Sequence, residues 1–203
     1  MVFVRDLIID NSLNLIRSNK PDYSEEKIEE IEYGLVGLYL TISKTIVIFI
    51  VAAFLGILKE LIIFILIYNI IRMPSFGMHA SSSTKCLVAS TIMFLGFTYL
   101  CSVINIPINI KLIVGIIGIV LIFKNSPADT VKRPIINPKR RLVYKIISGT
   151  ITVTFVILSL VIQNDFWSNC FILGLLLQCF MTAPTTYKLF GQPYDNYKTY
   201  TSV

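Results

Sequence analysis

Histidine is nearly absent from this chain: one residue, His79, in 203. Cysteine is sparse too, at positions 86, 101, 170 and 179. One imidazole and four thiols without ligand spacing exclude the familiar metal centres. No internal repeat, nucleotide-binding motif or matching pair of interrupted helices occurs, so the usual marks of a transporter are missing. The first residues, "MVFVRDLIIDNSLNLIRSNK", do not read as a cleavable signal, because charges interrupt the apolar run and no small-residue site follows.

What is abundant is apolar surface. Hydrophobic residues make up 55% of the chain and mean hydropathy is +0.74, beyond the range of soluble domains. Apolar runs long enough to cross a bilayer recur. A mass of 23.0 kDa leaves room for one bundle and no added soluble domain. The expected fold class is therefore all-α. The expected architecture is a polytopic membrane helical bundle, a single integral membrane domain over 1–203. It has about six hydrophobic segments, one of them short, broken or re-entrant.

Residues 2–18 carry apolar side chains near one helical face and read as an amphipathic helix on the membrane surface. Pro21 breaks that helix, Ser24 caps the next, and Glu25 and Glu26 suit its positive end. The first span is expected near 34–58, with Lys44 facing the bundle or snorkelling to the interface. Lys59 and Glu60 mark a turn. The run Leu61–Ile71 would cross only about half of a ~30 Å core, and Pro74 argues against its continuation. Clearer spans follow near 86–104, 107–123, 143–162 and 167–184, with Tyr144 and Trp167 as interface aromatics. Cys101, Cys170 and Cys179 lie in or beside these spans and read as small buried hydrophobes.

The loop Lys124–Lys145, "KNSPADTVKRPIINPKRRLVYK", holds seven Lys or Arg and one acid, Asp129. The positive-inside rule assigns it to the cytoplasm. The hairpin 86–123 returns the chain to the same face at Cys86, so residues 72–86 are expected there too. The polar C-terminal tail, from Tyr187, is assigned to that side as well.

That loop, "RMPSFGMHASSSTKC", is polar between greasy neighbours and holds His79 seven positions before Cys86. The run Ser81–Thr84 is rich in N-cap residues, so a helix should begin there with Cys86 in its first turn. Unpaired N–H groups at a helix start favour a thiolate and an oxyanion. On one straight helix, residues seven apart lie about 10.5 Å apart along the axis, so contact with His79 requires residues 74–80 to be a loop. Pro74, Ser75 and Gly77 favour that. Cys86 and His79 are thus a candidate nucleophile and base for acyl transfer, against the blander reading of a loop histidine and an unrelated buried thiol. Asp129 and Ser75 are candidate supporting residues, and Gln178 and Ser81 are further polar candidates.

The pattern R-x-x-S-x-G-x-H-A with a following cysteine (Arg72, Ser75, Gly77, His79, Ala80, Cys86) resembles the signature of the AgrB family (accessory gene regulator protein B). "SPADTVKRPI", Ser126–Ile135, resembles that family's "PADT…KPI" loop. Phe76 departs from the pattern, standing where a second glycine is common. The resemblance covers nearly the whole chain. It implies a membrane cysteine endopeptidase that cuts an AgrD-type precursor through a thioester and promotes thiolactone or lactone closure. Cys86 would be the nucleophile, His79 the base and later acid, and Arg72 and Gly77 activity-linked positions. Lys132, Arg133, Lys139, Arg140 and Arg141 would attract the acidic precursor tail. Membrane lipids are expected partners, and a homodimer follows only from the resemblance. No cofactor, metal or nucleic acid is expected. The rival readings are a small peptide exporter without proteolysis and a non-enzymatic scaffold.

The orientation has a direct test. A membrane-impermeant thiol reagent is expected to modify Cys86 from the cytoplasmic face of inverted vesicles, and modification only from outside would reverse the topology.

Overall fold

A computed structural model describes residues 2–78, 83–131 and 134–201. The described elements are α1 (Val2–Asn19), α2 (Glu25–Phe54), α3 (Leu58–Ser75), α4 (Ser83–Val103), α5 (Ile108–Asn125), α6 (Pro138–Val161), α7 (Asp165–Thr182), α8 (Pro184–Leu189) and α9 (Lys198–Thr201). Among the described residues there is no strand; Phe76 and Ala128 form an isolated parallel bridge. The fold is all-α. Five helices are long and apolar enough to cross a membrane: α2, α4 from Cys86, α5, α6 and α7. The chain divides into two compact units, Met1–Val51 and Ala52–Val203.

In the first unit α1 and the start of α2 form a helical hairpin. Ile9 and Leu13 of α1 are buried with Ile28 of α2, and Ile16, Ile31, Leu35 and Val36 pack around them. Ser24 accepts the Lys27 N–H at 3.3 Å, and Arg17 pairs with Glu25 at 3.1 Å. The cap predicted at Ser24 is present. The helix it opens runs Glu25–Phe54, so the span expected near 34–58 lies in a helix already begun at the acidic run, which suits a helix N-terminus, and it stops at Phe54.

In the second unit α7 packs against α3, α4, α5 and α6. The core joins Phe64, Tyr68 and Ile71 of α3, Cys101 of α4, Ile122 of α5 and Phe155 and Val156 of α6 to one helix, α7. Close approach needs small residues: a Cβ on Gly118 would meet Leu175, and one on Gly149 would meet Phe123. Polar groups join the helices as well. Lys111 donates to Ser168 at 2.7 Å, and Asn169 donates to the Ile104 carbonyl at 2.7 Å. Such bonds hold spans together where lipid offers no hydrophobic drive.

Two expectations around α3 are corrected. The turn expected at Lys59–Glu60 lies at Gly56, with φ +71°. The Ile57 N–H reaches back to the Ala52 carbonyl at 3.0 Å and the Gly56 N–H to Ala53 at 3.1 Å, a glycine C-cap of the Schellman type. Lys59 and Glu60 therefore sit inside the first turn of α3. At the other end the helix runs through Pro74 to Ser75. A proline in the last turn removes one hydrogen bond and leaves the preceding turns intact. The segment is thus 18 residues rather than 11, but Lys59, Glu60 and Arg72 keep it out of the five most apolar helices.

Gly56→Ala should cost about 1–2 kcal/mol, since a Cβ is disfavoured at this φ. Thermal unfolding of detergent-solubilised protein should show a lowered midpoint. An unchanged midpoint would mean the turn relaxes freely.

Candidate functional site

Helix α3 ends in a short extended segment, Phe76–Met78, that three neighbours hold. The Gly77 N–H donates to the Ala128 carbonyl at 2.8 Å, and the Ala128 N–H returns a bond to Ser75 at 3.0 Å. The Met78 N–H donates to the Met181 carbonyl, at the end of α7, at 3.0 Å. The segment thus lies between the loop after α5 and the end of α7. Ser126 and Pro127, at the start of that loop, are joined by a cis peptide bond.

The carbonyls of this segment converge on Arg72. Its Nη1 donates to Phe76 at 2.6 Å, and its Nη2 to Gly77 at 3.4 Å and Met78 at 3.1 Å. Gln178 of α7, fully buried, adds a second donor to the Phe76 carbonyl at 2.8 Å. A planar fork can serve three consecutive acceptors, which a lysine ammonium cannot do with the same geometry.

The backbone here is unusual. Phe76 has φ +57° and Gly77 φ +127°. A Cβ on Gly77 would overlap Arg72 Nη1 and lie 2.8 Å from the Met181 carbonyl oxygen. Phe76 keeps a side chain in a region that glycine prefers, a strain of roughly 1–3 kcal/mol. Its ring lies edge-on to Tyr144 of α6, centroids 5.1 Å apart. The residue that departs from the expected glycine therefore occupies a glycine-like conformation.

Asp129 is 2% exposed and organises the loop from the far side. Its Oδ2 accepts N–H groups from Tyr197 at 2.9 Å and Ile135 at 3.3 Å, and lies 3.5 Å from Arg141 Nη1. Arg141 also stacks over the Tyr197 ring at 3.5 Å. Tyr187 of α8, 1% exposed, donates to the carbonyls of both Ala128 and Asp129, at 3.0 Å each. Burial pushes the Tyr187 hydroxyl well above the usual tyrosine range, and does the same to Tyr194, up to about 12. Both stay protonated donors at physiological pH.

Cys86 is half-buried in the first turn of α4, as the spacing predicts, with its Sγ 3.9 Å from the Ser90 hydroxyl one turn on. Ser75 is buried, and its hydroxyl has no partner among the described residues. Lys139 and Arg140 are exposed in the first turn of α6, which Asn137 caps at 2.9 Å and 3.3 Å. His79, Ser81, Lys132 and Arg133 lie outside the described residues. Arg72, Ser75, Gly77, Asp129 and Arg141 thus belong to one bonded cluster. Tyr187, Asn196 and Tyr197 join it without any sequence signal, since a tyrosine-rich polar tail looks like solvated chain.

The model of the family described as accessory gene regulator B matches residues 9–182. An AgrB-like protein of Clostridium acetobutylicum is 29% identical over 168 residues, 83% of this chain and 80% of its own length. An AgrB-like protein of Listeria monocytogenes is 30% identical over 190 residues, 92% of this chain and 91% of its own length. No solved structure matches the chain.

Substitutions at the two positive-φ positions should behave oppositely. Phe76→Gly is expected to be more stable than Phe76→Ala by about 1 kcal/mol, because only glycine relieves the backbone. Gly77→Ala should open the Arg72 fork and raise hydrogen exchange at residues 76–78. Paired unfolding midpoints and exchange rates check both, and a Phe76→Ala variant as stable as Phe76→Gly would refute the strain.

Proposed function

The chain belongs to the accessory gene regulator B family, and from that premise we propose that it is a membrane-embedded cysteine endopeptidase. Its substrate is an AgrD-type quorum-sensing precursor, cut to release the C-terminal part. Cys86 is the nucleophile and His79 the general base. The imidazole takes the thiol proton and the thiolate attacks the scissile carbonyl. The adduct collapses as the imidazolium protonates the departing amine, leaving the peptide as a thioester on Cys86. An internal cysteine or serine of the peptide then attacks that carbonyl, closes a thiolactone or lactone, and returns the thiol to Cys86.

The observation that carries this reading is the start of α4. Cys86 sits within the first four residues of that helix, where unpaired backbone N–H groups can receive the oxyanion of a tetrahedral adduct. The segment Phe76–Met78 is held by Arg72 and built around Gly77, both members of the motif that also contains His79. A held loop lowers the cost of bringing an imidazole to a thiol. Limited water at a membrane interface favours ring closure over hydrolysis of the thioester.

The basic residues divide between two tasks. Arg141 is engaged by Asp129 and Tyr197 and supports the loop. Lys139 and Arg140 are exposed at the start of α6, where the helix dipole disfavours positive charge by roughly 0.3–1 kcal/mol each. Cations kept at such a place suit an acidic partner, so they join Lys132 and Arg133 in attracting the precursor tail. The site opens to the cytoplasm by the positive-inside rule, within one membrane domain surrounded by lipid. A homodimer belongs to the proposal on family grounds alone.

Cys86→Ala and His79→Ala should each abolish cleavage of the cognate precursor while membrane insertion persists, and the wild-type protein should yield a trappable thioester on Cys86. Processing at a normal rate by Cys86→Ala would exclude this nucleophile, and peptide transport without cleavage would favour the exporter.

A further inference from the structure

The C-terminal tail does not trail away from the bundle. After α7 the chain turns at Ala183 into α8, and the segment from Tyr187 to Tyr197 lies against the loop Asn125–Asp129. Tyr187, Met78 and Ala128 form a small buried cluster, with Phe190 and Tyr194 packed on it. Tyr194 is edge-on to Tyr187 at 5.1 Å, and its hydroxyl reaches the Asn125 carbonyl at 3.5 Å. Asn196 donates to the Asp129 carbonyl at 3.4 Å, and the Tyr197 N–H donates to the Asp129 carboxylate at 2.9 Å. Two stretches of tail therefore fasten the same loop.

That loop is also what the segment before His79 is bonded to. The Ala128 carbonyl accepts two donors, the Gly77 N–H at 2.8 Å and the Tyr187 hydroxyl at 3.0 Å. Tyr187 is thus one hydrogen bond removed from the backbone of Gly77, and its ring packs beside Met78, the residue next to His79. Buried hydroxyls shared between two carbonyls set the direction of both peptide planes, and nearby polar bonds reinforce one another at low dielectric.

We propose that Tyr187, Tyr194, Asn196 and Tyr197 of the tail clasp the peptidase loop and that Tyr187 is a positioning residue, acting through Ala128 and Gly77 on His79. This rests on the endopeptidase reading. The Tyr187 hydroxyl bonds to the Ala128 and Asp129 carbonyls, and no bond from it to the Cys86 thiol is among the contacts of the described residues. That hydroxyl fixes the loop to which the segment Phe76–Met78, leading into His79, is bonded, so its loss should slow chemistry at bound precursor without weakening binding.

Tyr187→Phe removes only the hydroxyl. The ring keeps its place against Tyr194, and the Ala128 carbonyl retains the Gly77 N–H. In single-turnover assays of the full-length protein in vesicles, kcat for thioester formation should fall roughly 10- to 100-fold, as small misplacements of reacting groups do, with KM nearly unchanged. Leu189→Ala, at a position 74% exposed on the same helix, serves as the control. The second readout is the pH profile of Cys86 alkylation by iodoacetamide, followed by peptide mass. The wild-type profile should depend on His79, and that of Tyr187→Phe should move toward that of His79→Ala. A Tyr187→Phe protein with the wild-type kcat and profile overturns the positioning role while leaving the peptidase in place. A wild-type protein that neither cleaves precursor nor differs from His79→Ala in its profile overturns the peptidase reading, and this one with it.

Discussion

One guanidinium spans the end of α3 and gathers three consecutive carbonyl groups, those of Phe76, Gly77 and Met78. Each bond involves a charged donor and is worth about 1.5–3 kcal/mol where partly buried. Without it the Phe76 carbonyl would keep only Gln178 as a donor, and those of Gly77 and Met78 would have to find water at the edge of an apolar bundle. The clamp explains its neighbours: no side chain fits at Gly77 beside Nη1, Phe76 is held at positive φ, and the segment pairs with Ala128 and Met181 instead of continuing α3. The candidate site is built outward from this contact.

The scaffold beneath it follows an inverted logic. The span α7 has the lowest mean hydropathy of the five, 1.2, yet it is the most buried, with 67% of its window enclosed. Ser168, Asn169, Gln178 and Thr182 are all buried there. In lipid an apolar face gains nothing by turning inward, whereas a polar side chain gains a partner. α7 accordingly forms the axis of the second unit. Its polar residues bond to the α4 end through Asn169 and to the loop before His79 through Gln178. The more hydropathic α5 leaves Ile113, Ile116, Ile117 and Val120 exposed, as a lipid-facing helix should.

Much of this was legible from local chemistry. The apolar runs of α4 to α7 identify themselves because a bilayer sets their length. Ser24, Asn137 and Asn164 stand where caps are needed, and all three accept N–H groups. The helix start just before Cys86 follows from a run of cap-forming residues. Expectations failed where two local signals compete. Lys59 and Glu60 look like a turn, but the charges sit comfortably in a first helical turn, and Gly56, three residues before Lys59, caps α2. Pro74 looks like a break, but a proline in the final turn leaves the earlier hydrogen bonds untouched. In the basic stretch, the last part of the expected loop, from Pro138 on, is the start of α6, because Asn137–Pro138 is a strong initiation pair.

By itself the sequence determined that the chain is a helical membrane protein, where most spans lie, and which short motif brings one imidazole near one thiol along the chain. These depend on composition, periodicity and neighbours in sequence. The tertiary structure alone decided what holds the motif in place: Arg72 turned back on its own loop, Gln178 arriving from 102 residues away, and Tyr187 and Tyr197 closing over Asp129 from 58 and 68 residues downstream. Such bonds carry no local signature. A buried carbonyl needs a donor but does not specify which distant residue supplies it, and only the packed bundle brings that donor within reach.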